Sequence, residues 1–174
     1  MISAVKKKLN NKGFTLSETM MSLLILGLVI VITGGGIVVV KNSYQRITMK
    51  SHAQTLMSTS ITKVSEDLRF AEDIDTDSAD AAGSVESPQF TNSETGYRTR
   101  FTNDIDKGIM RTYIYGTNSR SERLLTDKTM TDGLIPSISY SYDTNAGVFK
   151  VTVTVSRNDK TISEQEVSIR PLNE

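Results

Sequence analysis

The chain has no cysteine, no tryptophan, a single histidine and three prolines among its 174 residues. The missing cysteines exclude a disulfide framework and a thiolate metal site, so any folded domain here is held together by packing alone. The lone histidine, His52, leaves little material for acid–base catalysis. Because His52 lies beside a row of regularly spaced apolar residues, we interpret it as a polar residue flanking that row rather than as a ligand.

Charge is balanced overall but unevenly spread. The chain has 20 basic and 20 acidic side chains, and the first 13 residues hold four lysines (Lys6, Lys7, Lys8 and Lys12) and no acid. The remainder is therefore net acidic, which argues against a nucleic-acid-binding protein. No phosphate loop, nucleophile elbow, zinc spacing or acid–base pair is recognisable in the sequence. We therefore expect neither an enzyme nor a cofactor or metal requirement.

Charge is absent altogether from Thr19 to Val40. A helix over this run, at about 1.5 Å per residue, spans the ~30 Å hydrocarbon core of a membrane. The lysines before the run predict a cytoplasmic N-terminus, with most of the chain outside. A secretory signal peptide fits less well, because the run is too long and no small-x-small cleavage site follows Val40. A plain single-pass anchor does not explain Glu18, since a carboxylate at the edge of a membrane span is usually functional.

The segment Gly13-Phe14-Thr15-Leu16-Ser17-Glu18 resembles the processing site of type IV prepilins and type II secretion pseudopilins. The resemblance implies that a prepilin peptidase cuts after Gly13 and N-methylates the new terminus at Phe14. It also implies that Glu18 neutralises the amino terminus of a neighbouring subunit during assembly. A carboxylate and an ammonium attract far more strongly in a low-dielectric setting than in water, which agrees with that role.

Three glycines, Gly34, Gly35 and Gly36, interrupt the apolar run. Each glycine costs about 1 kcal/mol relative to alanine in a helix interior. Pilins of the resembled family commonly have a weak helical region here that melts on assembly, so the glycines can supply that flexibility. Small residues also allow close packing of neighbouring helices. Both interpretations stay open.

The helix is expected to continue beyond Lys41 as an amphipathic segment. From Ala53 onward, apolar residues recur at steps of three and four, which places them on one helical face. That face must be buried against another layer of structure. We predict one helix from about Thr15 to Asp73, with its second half packed against a sheet. The expected stripe comprises Tyr44, Ile47, Ala53, Met57, Ile61, Val64, Leu68 and Ala71.

Alternate aspartates follow this helix at Asp73, Asp75 and Asp77, as at the start of an EF-hand calcium loop. The match then fails, because Ser78 stands where the loop needs glycine and Ser84 stands where it needs glutamate. A solvated acidic linker is the preferred interpretation, with a calcium site as the alternative.

From Val85 onward the pattern changes to strands and turns, which predicts an antiparallel meander. The polar tract 116–133 is expected to be irregular. Alternating tyrosines at 113, 115, 140 and 142 are interpreted as cross-strand packing, and Arg98 and Arg100 as a solvated face rather than a DNA contact. The predicted strands are Ser87–Thr91, Tyr97–Phe101, Ile109–Tyr115, Ile135–Tyr142, Val148–Ser156 and Thr161–Arg170.

The expected fold is therefore α+β and pilin-like, with a long N-terminal helix packed against a C-terminal antiparallel sheet. Its parts are a leader at 1–13, an assembly helix at 14–40, an amphipathic half at 41–73 and a β-rich head at 74–174. The head loosely resembles J-type pseudopilins and W-type minor pilins, and the final strand is the candidate for fixing a C-terminus that has no disulfide.

These features predict a structural subunit of a type IV pilus or related secretion filament, and a minor subunit in preference to a major one. Its partners would be other pilin subunits, the prepilin peptidase, the assembly machinery and, before assembly, membrane lipid. It would reside in the membrane first and on the cell surface afterwards. The alternative is a membrane-anchored extracellular binding or sensor domain that never polymerises.

Overall fold

A computed structural model describes residues 13–126, 130 and 132–172 of the chain. The lysine-bearing leader before Gly13 lies outside the described residues. The chain divides into two compact units, the first ending at Arg46 and the second running from Ile47 to Glu174.

A long helix, α1, runs from Leu16 to Arg69. It begins at Leu16 because Thr15 caps it: the Glu18 backbone N–H donates to the Thr15 carbonyl at 3.0 Å and to the Thr15 hydroxyl at 3.3 Å. Thr15 and Glu18 thus occupy the first and last positions of a capping-box sequence.

The expectation that the helix continues to Asp73 is wrong, because a strand begins directly after Arg69. The Phe70 carbonyl accepts a hydrogen bond from the Ser93 N–H, and Ala71 and Glu72 pair with the Thr91–Asn92 segment. Asp73 then adopts a left-handed φ of 46°, a conformation that cannot continue a right-handed helix.

Within the described residues, nine strands form two antiparallel sheets. The first has the order β1-β3-β4-β5-β6 and the second has the order β2-β7-β8-β9. These findings confirm the expected α+β, pilin-like architecture, with the strands divided between two sheets. The strands are β1 (Ala71–Glu72), β2 (Ser84–Glu86), β3 (Phe90–Asn92), β4 (Tyr97–Asp104), β5 (Gly108–Tyr115), β6 (Asn118–Arg123), β7 (Ile135–Asp143), β8 (Val148–Arg157) and β9 (Lys160–Ile169).

Two predicted segments differ from the observed strands. The first, Ser87–Thr91, is a strand only at Phe90 and Thr91, which belong to β3. Its first part is a break between β2 and β3, where Ser87 has a φ of 47° and Pro88 has no N–H to donate. The second, the tract 116–133, begins with β6, although it is predicted to be irregular. All six residues of β6 are exposed and polar, so no apolar alternation marks this strand in the sequence; its pairing with β5 forms it. Residues 127–129 and 131 lie outside the described residues.

The core of the second unit lies between the outer part of α1 and the two sheets. The expected stripe is buried at Ala53, Met57, Val64, Leu68 and Ala71, and Ile61 is partly buried. Leu56 and Asp67 are also buried, although neither belongs to the expected stripe, whereas Tyr44 and Ile47 of that stripe are exposed. From the sheets, the alternating valines Val151, Val153 and Val155 are fully buried, as predicted for β8.

The chain's C-terminal end is held by backbone pairing. Strand β9 pairs with β8 along its length, as expected, and the Leu172 N–H donates to the Arg69 carbonyl at 2.8 Å. The second contact also satisfies one of the carbonyls left open at the end of α1.

Candidate processing and assembly segment

Gly13, Phe14 and Thr15 precede the helix in a stretch without regular structure. No atom lies within 4 Å of a Cβ built on Gly13, and the Phe14 side chain is 78% exposed. The peptide bond between Gly13 and Phe14 is therefore accessible and lies outside the helical hydrogen-bond ladder. An enzyme that must hold an extended chain has access to this bond.

Glu18 lies in the first turn of α1 and is exposed. Its position suits a carboxylate, because the N-terminal end of a helix carries partial positive charge. Among residues 13–126, 130 and 132–172, no basic side chain forms an ion pair with it. The helix end thus supplies a local reason for an acid here, and the carboxylate oxygens remain accessible to a partner.

The helix beyond Glu18 is apolar and exposed. From Leu16 to Val40, every large hydrophobic side chain is exposed. Its hydroxyl groups are satisfied within the helix, since Thr19, Ser22 and Thr33 each donate to a backbone carbonyl one turn earlier. By length and composition, α1 can cross a membrane, and backbone and hydroxyl groups bonded within the helix meet the requirement of a hydrocarbon environment.

Gly34, Gly35 and Gly36 lie within a continuous stretch of α1. No atom lies within 4 Å of a Cβ built on any of the three. Their side of the helix is therefore open in the isolated chain. The flexibility and the packing interpretations both stay predictions.

Two of the three aspartates after the helix, Asp73 and Asp75, contact an arginine. Arg98 Nη1 lies 3.3 Å from Asp73 Oδ2, and Arg98 Nη2 lies 3.5 Å from Asp75 Oδ2. The Asp77 backbone N–H donates to Asp75 Oδ1. Within the described part of the chain, no group of three or more His, Asp or Glu residues could hold a metal ion. Arg98 supplies the positive charge here, so it is engaged with this acidic turn.

A buried polar cluster in the second unit is not predicted from the sequence, because Asp67 is not part of the expected apolar stripe. Asp67 Oδ2 lies 2.9 Å from Arg111 Nε, but the N–H is not aligned with the oxygen, so the contact is an ion pair rather than a good hydrogen bond. Asn92 donates to the other Asp67 oxygen at 3.3 Å. Burial raises the pKa of Asp67 to about 6 although the nearby Arg111 opposes that shift.

The same cluster ties β6 to its neighbour. Arg111 donates to the Tyr113 hydroxyl at 3.1 Å, and that hydroxyl donates to Glu122 at 2.8 Å. The carboxylate of Glu122 is thus engaged within its own sheet. The signal that could have revealed the cluster is the spacing of Asp67, which continues the buried stripe at three residues beyond Val64.

His52 lies 2.6 Å from Asp132 through its Nδ1 atom. Both side chains are partly exposed, and this pair agrees with the interpretation of His52 as a polar residue flanking the stripe.

The fold and the N-terminal segment together define an α+β, pilin-like protein with an exposed apolar helix. Residues 8–34 match the family model described as the prokaryotic N-terminal methylation motif. This match supports a type IV pilin-like precursor of the kind processed by a prepilin peptidase, with a structural rather than an enzymatic character. Neither the curated proteins nor the solved structures gave a significant match to the chain.

Proposed function

We propose that the chain is a structural subunit of a type IV pilus or a pilus-like secretion filament. The observation that carries the proposal is the methylation motif at residues 8–34, which includes the start of an exposed apolar helix. Cleavage after Gly13 would remove the basic leader and leave Phe14 as the N-methylated terminus. The exposure of Phe14 and the open space around Gly13 among the described residues support this step.

The new amino terminus at Phe14 carries a positive charge beside a long apolar surface. Glu18 carries the opposite charge one helical turn away and has no basic partner among the described residues. We propose that Glu18 of one subunit pairs with the terminus of a neighbour. In a water-poor bundle of helices neither group is stable alone, so the pair would favour docking and fix the axial register.

The apolar residues from Leu16 to Val40 would first face lipid and later the helices of neighbouring subunits. Before assembly the leader at 1–13 would be cytoplasmic and the segment 14–40 would span the membrane. The amphipathic half at 41–73 and the head at 74–174 would lie outside the cell. Assembly would move them to the cell surface.

We favour a minor over a major subunit because of the loose resemblance of the head to J-type pseudopilins and W-type minor pilins. The contrasting function is a membrane-anchored binding or sensor domain that never polymerises. The exposed apolar helix agrees with both, whereas the methylation motif favours the filament subunit.

Fractionation of cells that produce the full chain separates the two functions. We expect part of the chain to leave the membrane fraction and to co-sediment with filaments sheared from the cell surface. Immunogold labelling along those filaments would locate the subunit at the tip or the shaft. A chain that stays wholly in the membrane fraction, while other filaments are recovered, would support the sensor domain and contradict our proposal.

A further inference from the structure

Each sheet of the second unit has one short outer strand and one long outer strand. In the first sheet β1 has two residues, whereas β6 at the opposite edge has six. In the second sheet β2 has three residues, whereas β9 at the opposite edge has ten. An outer strand leaves one row of backbone N–H and C=O groups unpaired, and short outer strands limit that exposure. The two long edges therefore expose most of the unpaired backbone.

Both long edges are open to solvent. All six residues of β6 are exposed, and in β9 the three consecutive residues Glu164, Gln165 and Glu166 are exposed. Consecutive side chains of a strand point to opposite faces of the sheet. Side chains on both faces of β6 and of β9 are therefore exposed, so nothing in the described chain covers the outer edge of either strand.

The two edges differ in charge. Strand β6 carries Arg120 and Arg123, of which Arg123 lies near Asp104. Its one acid, Glu122, is engaged by the Tyr113 hydroxyl and by Arg111, so Arg120 gives this edge its positive charge. Strand β9 carries Glu164 and Glu166 along its central part, with one lysine, Lys160, at its start. Like charges disfavour the pairing of two β6 edges or of two β9 edges, whereas opposite charges favour β6 with β9.

We propose that β6 of one copy of this chain pairs with β9 of an adjacent copy. The contact joins two different surfaces, so it is heterologous. Any run of copies then has an unpaired β6 at one end and an unpaired β9 at the other. Such a contact builds open, helical assemblies rather than closed dimers. This inference rests on the proposed function, because it assigns a contact between heads of filament subunits.

The contact is too small to hold two heads together by itself, since isolated pairs of strands are marginal in water. The helices of assembled subunits would keep the heads close and raise their effective concentration. The contact is therefore expected in filaments and not between copies dispersed in detergent. Two adjacent copies of the chain are sufficient to form the contact, so it can occur in filaments that contain a short or a long run of copies.

Cysteine cross-linking tests the contact cleanly, because the chain has no cysteine of its own. The full chain carrying Ser119→Cys and Gln165→Cys would be produced in cells, and sheared filaments would be treated with a short bismaleimide. Both positions are exposed, one on each proposed edge. The expected result is a dimer or a ladder of covalently linked chains on a denaturing gel. Detergent-dispersed chains are expected to remain monomeric.

Two kinds of control make the result specific. Each single variant is expected to stay monomeric, and so is a chain with Ser119→Cys and Ser139→Cys, whose second site is exposed on the central strand β7. Arg120→Glu in the cross-linking background is expected to lower the linked fraction roughly fivefold. Adding Glu164→Lys and Glu166→Lys to that chain is expected to restore it.

Filaments that contain the double-cysteine chain but show no more linkage than the Ser139 control would overturn the contact alone. Linkage by Ser119→Cys without a second cysteine would overturn it too, because that result indicates a symmetric β6–β6 pair. Absence of the wild-type chain from all filaments would overturn the proposed function, and the contact with it.

Discussion

Glu18 serves one local purpose in the chain and is proposed to serve another between chains. Its backbone N–H completes the cap on Thr15, and its carboxylate lies at the partly positive end of α1. Glutamine can take the same capping position but carries no charge. The capping role and the pairing role can therefore be separated at this single position.

Glu18→Gln and Glu18→Ala are both expected to exclude the chain from filaments, because neither can pair with a charged amino terminus. Cleavage after Gly13 is expected to continue in both variants. The measurement is the amount of chain in the sheared-filament fraction, with Ser17→Ala as the neighbouring control. Wild-type incorporation of Glu18→Gln would show that Glu18 acts only through the helix cap.

Asp67 gives the second unit a pH-dependent stability. Its ordinary pKa is 3.8, and burial raises the pKa to about 6 in the folded chain. Between those values the folded state binds more protons than the unfolded state, so the free energy of unfolding falls as pH rises. The decrease is about 3 kcal/mol over the whole titration, and about 2 kcal/mol of it falls between pH 4 and pH 6.

Asp67→Asn is expected to remove most of that decrease. Glu66→Gln, at an exposed neighbour, is expected to retain most of it, because the Glu66 charge raises the pKa of Asp67 less than burial does. The chain has six tyrosines and no tryptophan, so the near-ultraviolet circular dichroism of tyrosine can follow thermal unfolding of the detergent-solubilised full chain. The midpoint of the wild type should fall from pH 4 to pH 6. An equally steep fall in Asp67→Asn would contradict the assignment to Asp67.

At the scale of elements, one tyrosine connects the two sheets. The Tyr140 hydroxyl on β7 donates to the Pro88 carbonyl at 2.9 Å and accepts from the Phe101 N–H on β4 at 3.2 Å. Its ring lies 5.6 Å from the Phe101 ring, in an edge-to-face arrangement. Burial raises the pKa of Tyr140 to about 12, so the hydroxyl stays protonated and able to donate at ordinary pH.

Tyr140→Phe is expected to destabilise the second unit by about 1–3 kcal/mol, because two buried backbone groups lose their partner while the ring remains. Tyr115→Phe, at an exposed position, is the matched control and should have little effect. The thermal midpoint of each full-length variant provides the measurement. Equal midpoints for Tyr140→Phe and wild type would show that the hydroxyl does not join the sheets.

The glycine stretch of α1 is the second feature at this scale. Replacing Gly34, Gly35 and Gly36 by alanine fits without a clash in the isolated chain and should stabilise the helix by about 1 kcal/mol per site. Slower amide exchange across these residues in detergent is the expected result. Gly27→Ala in the same helix is the control for a single substitution. Unchanged exchange in the triple variant would argue against flexibility and leave close packing as the role of the glycines.

Much of the element order could be predicted because it depends on local patterns. The steps of three and four from Ala53 to Leu68 and the alternation in β8 both reflect burial on one face. Strand β6 could not be predicted in this way, because it is exposed on both faces and exists through its pairing with β5. The end of α1 likewise depends on the distant partners of β1 and of Arg69, which no local pattern contains.

The candidate site likewise has one part that a local pattern predicts and one part that depends on distant residues. Gly13, Phe14 and Glu18 belong to one short motif, so their order alone identifies the segment. Asp67 and Arg111 lie far apart in sequence and meet only through the packing of α1 on β5. The sequence therefore predicts the processing segment and not the buried ion pair.

At the scale of the whole molecule, the two compact units carry different parts of the proposed function. The first unit holds the motif and an apolar surface too large for a chain that remains alone in water. The second unit has its own core and two long free sheet edges. A processed filament subunit accounts for both, since assembly would cover the apolar helix and bring the edges of adjacent copies together.

The most direct test of this account is the intact mass of the chain purified from filaments of the cells that make it. If the chain is a processed filament subunit, the purified protein should lack residues 1–13 and begin at Phe14 with one added methyl group. Fragmentation should locate that methyl group on the Phe14 amine. A mature chain that still begins at Met1, or that begins at Phe14 with a free and unmodified amine, would contradict it.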